Sequence, residues 1–456
     1  MFSSIANSLA NCFKIPELKS RIIFTLIVLA VCRLAALIPA PGLDASALSA
    51  FFAKGGADSN SLLGMYSLFT GGGFEKCAVG SLGIMPYISA TIIIQLLTAV
   101  IPMLSKLARE EGGRTKLIQY GRYLTVLICL GQGFVMALGW ENPKFIAEGV
   151  GRLVTYNDNW IWWYRIQTTL ILTTGTVLLM WLGEQITDRG IGNGISLIIA
   201  IGILARLPQA FQGLGDMFFA QGHQFNFFHG AALIILLFAV IAGVIAVTQA
   251  QRKIPVQYAQ RAVGRKVYSG GSSFMPLRVN YSGVMPVIFA SAILMLPSML
   301  FRSIGSQFKL KLFSEIASSL DRGSGLYLTL FGLMILFFSY FWVATQFNEI
   351  QIADDMKKSG GYIPGVRPGQ ATSDFLHRVM SRITLAGAIF LTVIAVIPIV
   401  LGNWLHIPQT VSQYFGGTSM LIMVGVMLDT MRQMETHLLM RHYDGFLKKG
   451  RLKGRF

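Results

Sequence analysis

Charged residues are scarce: Asp, Glu, Lys and Arg make up 13% of the 456 residues, against about 25% in soluble globular domains. Apolar residues make up 53%, so the solvent for much of the chain is lipid. The apolar runs lack the alternation that barrel strands require. That leaves a helical bundle as the way to satisfy the backbone in hydrocarbon. Cysteine is rare as well. Cys12, Cys32, Cys77 and Cys129 have neither metal-ligand spacing nor disulfide density. Catalytic signatures are missing: there is no HExxH, no GxSxG and no Walker A pattern, and the six histidines are scattered. Residues 190–194 (GIGNG) have the look of a phosphate loop but lack the strand–turn–helix context that would make them one. An ion-coupled transporter needs ionisable groups at mid-depth. The candidates are Arg33, Arg165, Glu184, Asp188 and Asp429, with no carboxylate pair or histidine relay among them. An intramembrane enzyme would need a nucleophile–base pair or a metal triad, and neither is visible.

What the chain does have is ten apolar segments, about 22–38, 62–101, 120–138, 160–182, 195–211, 227–248, 284–301, 326–346, 383–401 and 419–438. A spanning helix takes about 20 such residues. The N-terminus shows no cleavage pattern, so the first segment reads as a retained span. The second is broken. A short apolar stretch from Leu62 to Thr70 runs into Gly71, Gly72 and Gly73, and a new run begins near Gly80. Three glycines in a row form a flexible joint. Non-helical backbone at membrane depth is tolerated where it lines protein or a water-filled cavity, so the break points to an internal cavity. The fifth segment is short: Gly194 and Pro208 bracket a run worth about 20 Å as helix.

The formal net charge is +17, and its placement sets orientation. The 249–283 loop carries Arg252, Lys253, Arg261, Arg265, Lys266 and Arg278 without a single acid. The 102–119 loop and the C-terminal tail are also basic, whereas the alternate loops are balanced or uncharged. Lys and Arg accumulate on the cytoplasmic side, so both termini are expected there. Two loops stand out by length, 249–283 and 347–382, and long loops are often functional. In the second, Pro364-Gly365 and Pro368-Gly369 mark turns that bracket Arg367. Such a basic protrusion suits an acidic partner.

Seven stretches carry a resemblance. They are 83–95 (GIMPYISATIIIQ), 181–195 (WLGEQITDRGIGNGI), 257–261 (QYAQR), 276–280 (PLRVN), 283–291 (GVMPVIFAS), 357–369 (KKSGGYIPGVRPG) and 415–419 (FGGTS). In this order and in these topological places they resemble the SecY family, the channel subunit of the bacterial protein-export translocon. The resemblance implies an all-α polytopic membrane protein of ten transmembrane helices. These form two inverted, pseudo-symmetric five-helix halves, 1–215 and 216–456, around a central pore. It implies a non-enzymatic channel of the bacterial plasma membrane that translocates unfolded secretory polypeptides and releases transmembrane segments laterally. The runner-up is a small-solute transporter. The pore ring carries over to Ile84, Ile88, Ile195, Ile199, Ile288 and Ile422. The plug carries over to Leu62, Leu63, Gly64, Met65, Tyr66, Leu68 and Phe69, with the glycine triplet as its hinge. The lateral gate carries over to Ile84, Ile88, Gln95 and Ile288. Arg261, Arg265, Lys266, Arg278 and Arg367 carry over as the docking surface for the SecA ATPase or the ribosome; Arg278 stands where the family often has lysine. The other implied partners are the small subunits SecE and SecG, signal peptides, nascent polypeptides and the phospholipid membrane. No cofactor and no metal are implied.

Overall fold

The structure, a computed structural model, describes residues 15–53, 66–67, 69–110, 112–141, 153–156, 160–219, 227–258, 261–263, 266–268, 272–308, 311–320, 324–404 and 418–449. The chain opens with α1 (Pro16–Ala35) and a short α2 (Ser46–Ala53). Then come α3 (Met85–Val100), α4 (Pro102–Arg109), α5 (Gly113–Glu141), α6 (Ile161–Arg189), α7 (Gly194–Leu204), α8 (Leu207–Phe219) and α9 (Phe227–Gln249). Strands β1 (Gln251–Tyr258), β2 (Arg261–Val263), β3 (Lys266–Tyr268) and β4 (Ser272–Arg278) fill the first long loop. Next are α10 (Met285–Phe308), α11 (Lys311–Ser319), α12 (Gly325–Gln346), α13 (Glu349–Ser359), β5 (Gly361–Tyr362), α14 (Gln370–Trp404) and α15 (Thr418–Lys449).

Among the described residues, six helices are long and apolar enough to cross a membrane. The pair α3 and α4, bent by 105°, makes a seventh when counted as one broken span. Helices α1, α10 and α15 cover the other three apolar segments. In α1 and α15 charges weaken the apolar run, Arg33 in the first and Asp429 and Arg432 in the second; α10 is apolar over Met285–Leu294. The fifth segment is longer than its bracketing residues suggest. Helix α7 stops at Leu204, and after Ala205 and Arg206 α8 takes over, so Gly194–Gly215 is long enough to span. Pro208 does not end the span, because it sits in the first turn of α8, where a missing N–H costs nothing.

Two compact units are distinguishable. The first comprises Met1–Asp216, Ser298–Ala317 and Val426–Phe456; the second comprises Met217–Pro297 and Ser318–Gly425. In the first, α5 and α6 form a hairpin closed at both ends by bidentate ion pairs. Arg122 donates Nε and Nη2 to the two oxygens of Glu184, at 3.0 and 2.9 Å. Arg165 donates the same way to Glu141, at 2.8 and 2.9 Å. Between Arg122 and Glu141, and between Arg165 and Glu184, neither helix carries a charge. Each interval corresponds to about 28 Å of helix, close to the hydrocarbon thickness of about 30 Å. The guanidinium of Arg165 also lies 4.7 Å from the Trp162 ring, and Trp160, Trp162 and Trp163 are exposed around it. Exposed tryptophan at this position is the membrane–water interface pattern. Arg165 and Glu184, two of the candidate intramembrane charges, are therefore end pairs and not a mid-depth relay.

In the second unit the long loops fold against one another. β1 pairs antiparallel with β4, and also with β5 through Gln257↔Tyr362 and Tyr258↔Gly361. Beneath this sheet, Ile254, Leu277 and Ile363 pack with Val343 and Phe347 near the end of α12 and with Leu376, Val379, Met380 and Ile383 of α14.

Breaking one end pair leaves a partly buried charge without its partner. Glu141→Gln is expected to cost on the order of 1.5–3 kcal/mol, the range for hydrogen bonds to charged groups. Thermal unfolding of the purified protein in detergent reads this as a lowered midpoint, which the double change Glu141→Leu with Arg165→Met largely restores. An unchanged midpoint in the single variant would remove the pair from the account of the hairpin.

Candidate functional site

The broken second segment is where the first unit departs from regular helix. Tyr66, Ser67 and Phe69 are helical and buried, and residues 70–83 run mainly as turns before α3 starts at Met85. Such backbone must find partners inside the protein. It finds them at the C-terminal end of α1, where helix carbonyls have no intrahelical donor. Gly80 N donates to Ala35 O at 2.8 Å and Val79 N to Ile38 O at 2.9 Å, while Ala40 N donates to Cys77 O at 2.8 Å. Ala78 N reaches Gly73 O at 2.9 Å, and Ser81 Oγ donates to the same carbonyl at 3.0 Å.

The glycine triplet is held in place. Gly71 and Gly72 have φ of 63° and 86°, a region that favours glycine. A Cβ on Gly71 would fall 2.3 Å from Arg33 Nη1 and 2.8 Å from the Gly202 Cα. Gly202 in turn faces the Phe69 carbonyl oxygen, which would lie 3.3 Å from a Cβ there. Thr70 packs on Gly83, with its Cγ2 3.2 Å from where a Cβ would be. The base of the short helix thus touches α7 three residues beyond Ile199, and it touches the residue next to Ile84.

Of the predicted plug, Tyr66 and Phe69 are buried at 5% and 6% exposure; Leu62, Leu63, Gly64, Met65 and Leu68 lie outside the described residues. Of the predicted ring, Ile84, Ile88 and Ile199 are buried in the first unit, and Ile195 is half-buried there. Ile288 and Ile422 are buried in the second, at 1% and 0%. Ile84 is the residue before α3, with Pro86 in the helix's first turn.

The 190–194 stretch is a helix cap. Asn193 Oδ1 accepts from the N–H groups of Ile195 and Ser196, at 3.1 and 3.3 Å, which satisfies orphan donors at the start of α7. Gly194 must be glycine, because a Cβ would sit 1.9 Å from the Gly183 carbonyl oxygen. Neighbours complete the fixation: Ile191 N donates to Thr25 Oγ1 at 3.1 Å and Gly192 N to Gln433 Oε1 at 2.8 Å.

In the second unit, Asn280 Nδ2 donates to Gly283 O at 2.9 Å and Ser282 Oγ donates to Asn280 Oδ1 at 3.1 Å, shaping the approach to α10. A Cβ on Gly425 would lie 2.2 Å from Val284 Cγ1. Val284 is four residues before Ile288, and Gly425 three after Ile422, so this contact sets α10 and α15 together beside both. Gln95 of α3 is half-buried, and its buried Oε1 has no partner among the described residues. Among the predicted docking residues, Arg278 ends β4 and is exposed. Arg367 is exposed in the turn before α14, its carbonyl accepting from Thr372 Oγ1 at 2.9 Å. Arg261 and Lys266 lie on opposite strands of the β2–β3 hairpin, Arg261 paired with Tyr268 and Lys266 with Val263. Arg265 lies outside the described residues. Among the described residues no group of His, Cys, Asp and Glu could hold a metal ion.

A set of apolar helices long enough to cross a membrane, one of the apolar segments broken and its irregular backbone buried, marks a polytopic membrane protein. The comparisons agree. The SecY family model matches residues 78–431. The protein translocase subunit SecY of Chlamydia trachomatis is 42% identical, over 98% of this chain and 99% of that one. A solved structure of a protein-conducting channel superposes with a TM-score of 0.61 at 18% identity, covering 95% of this chain and 94% of the other. A second, at TM-score 0.56, 18% identity and the same coverage, concerns the SecY plug domain, described there as stabilising the closed channel and maintaining a membrane seal. The chain belongs to the SecY family: it is a ten-span membrane protein and the channel subunit of a protein translocase, and it is not an enzyme.

Sequence reading missed the partners of the two ion pairs, the clamp on the glycine triplet and the β1–β5 pairing. The spacing of about 28 Å between charges on α5 and α6 was the signal that could have paired them.

Gly71→Ala tests whether the hinge needs glycine. The new Cβ collides with Arg33 and with backbone, at a φ that alanine rarely adopts. The expected result is a lowered thermal midpoint of the purified protein together with faster proteolysis of the 54–75 segment. Parental values for both would show that the close approach is not needed.

Proposed function

We propose that this chain conducts unfolded secretory polypeptides through a pore whose neck is the ring Ile84, Ile88, Ile195, Ile199, Ile288 and Ile422. At rest the segment from Leu62 to Phe69 (Leu62, Leu63, Gly64, Met65, Tyr66, Leu68 and Phe69) closes it as a plug. The two halves, 1–215 and 216–456, part sideways between α3 and α10, at Ile84, Ile88, Gln95 and Ile288, to release membrane helices and admit signal sequences. The observation that carries the reading is burial. An isoleucine in a membrane helix ordinarily faces lipid or a neighbouring helix; five of these six are buried and the sixth is half-buried, as residues of an internal neck must be. A narrow ring of β-branched side chains excludes water and ions by dewetting and holds no polar group that would bind a passing chain. Family membership supplies the rest of the argument.

The basic loops serve as the docking surface. Arg261, Arg265, Lys266, Arg278 and Arg367 receive the SecA ATPase or the ribosome, whose phosphates attract Lys and Arg in a salt-dependent way. The β1–β5 pairing supports this, since it joins the strand leading to the hairpin with the turn that leads to Arg367. SecE and SecG complete the complex, both termini are cytoplasmic, and the membrane is the bacterial plasma membrane.

The deciding experiment is a crosslink. The native cysteines are replaced, a single cysteine is placed at Ile199, and a secretory precursor is arrested partway through membrane vesicles. A disulfide from the arrested chain to position 199 is the expected result; crosslinks confined to exposed helix faces would overturn the ring. Ile422→Asn should raise resting ion leak and export of precursors with defective signals. Arg367→Glu should slow export severalfold while leaving that leak unchanged, and a leak that rises with it would refute a docking role.

A further inference from the structure

The glycine triplet is braced by two arginines from different helices. Arg206 sits in the two-residue break between α7 and α8. Its Nη2 donates to the Glu75 carboxylate, forming an ion pair, and to Ser67 Oγ at 2.5 Å. Ser67 Oγ itself donates to Glu75 Oε1 at 3.0 Å. The side chains of Arg206 and Glu75 are only 12% and 14% exposed, and Ser67 is fully buried. Ser67 precedes the triplet and Glu75 follows it, so one guanidinium fastens both sides of the hinge. Across the hinge, Arg33 Nη2 donates to the Gly71 carbonyl at 3.0 Å. Guanidinium pairs of this kind are the strong, directional hydrogen bonds of proteins.

We propose that Arg206, Glu75 and Ser67 form a latch that holds the short helix in its resting place, with Arg33 as the second brace, and that the latch sets how readily the channel opens. The proposal rests on the plug reading of 62–69. The logic is one of bond counting. Lifting the helix about Gly71–Gly73 carries Ser67 away while Glu75 stays on the far side of the hinge. The Arg206–Ser67 and Ser67–Glu75 bonds then break together. Arg206 and Glu75 then keep each other but both lose Ser67, and charged groups that lose a hydrogen-bond partner while little exposed are costly to leave so. Arg206, Glu75 and Ser67 are thus positioning residues: they act through the segment they hold and need not touch the passing chain.

The test uses the whole translocase reconstituted in planar bilayers. Resting ion conductance and export of a precursor with a defective signal are read for the parent, a 62–69 deletion, Glu75→Gln, Arg206→Gln, the double variant and Arg206→Lys. Thermal midpoints are measured in parallel. Each single glutamine variant is expected to raise resting conductance about tenfold, equivalent to about 1.4 kcal/mol. The double variant should add little to either single, because both act through one contact. Arg206→Lys should return conductance most of the way to the parental level. Glutamine variants that lower the thermal midpoint without raising conductance, while the deletion does raise it, would reduce the cluster to a fold-stabilising ion pair and overturn the latch alone. A deletion that leaves conductance unchanged would refute the plug reading, and the latch with it.

Discussion

Hydrocarbon solvates neither charge nor peptide groups, and this single constraint orders everything else in the molecule. The few charges that enter the α5–α6 hairpin do so in bidentate pairs at its two ends, Arg122 with Glu184 and Arg165 with Glu141. The irregular backbone of 70–83 is tolerable because the end of α1 supplies the carbonyls it needs. A helix end with orphan acceptors and a turn with orphan donors solve each other's problem. The same constraint explains why the span through Gly194–Gly215 survives an interruption: Ala205 N and Arg206 N still reach Ile201 O and Ile203 O, at 3.0 and 3.1 Å.

Close approach is the second theme. Where lipid competes for apolar surface, helices associate by packing, and small residues let them approach. Gly194 against Gly183, Gly175 against the Val79 carbonyl, and Gly425 against Val284 are contacts that a methyl group would break. Two of them stand near isoleucines of the proposed ring, Gly194 just before Ile195 and Gly425 three residues after Ile422, and Gly83 is just before Ile84. The isoleucines are therefore placed by their neighbours' lack of a side chain as much as by their own size.

Much of this was legible beforehand. The apolar segments, the break at Gly71–Gly73 and the family resemblance all follow from local patterns, because span length and hydrophobicity are local properties. The short fifth segment was misjudged for a local reason too: Pro208 marks an end in isolation and a beginning once α8 follows it. What could not be read was which distant groups meet. Nothing around Glu75 announces that a residue 131 positions away will pair with it, and nothing in the 361–362 pair Gly-Tyr signals a strand until β1 is there to receive it. The basic residues of the two long loops were legible as charges; the sheet that joins those loops was not.

That sheet has a mechanical consequence. β5 is two residues long, yet it ties the strand leading to the β2–β3 hairpin to the start of α14, and the sheet rests on Ile254, Leu277 and Ile363, wedged against α12 and α14. A close-packed apolar core transmits displacement instead of absorbing it. The sheet and the two long helices beneath it thus form one packed body. Displacement of the sheet would therefore be passed to α12 and α14 through Ile254, Leu277 and Ile363.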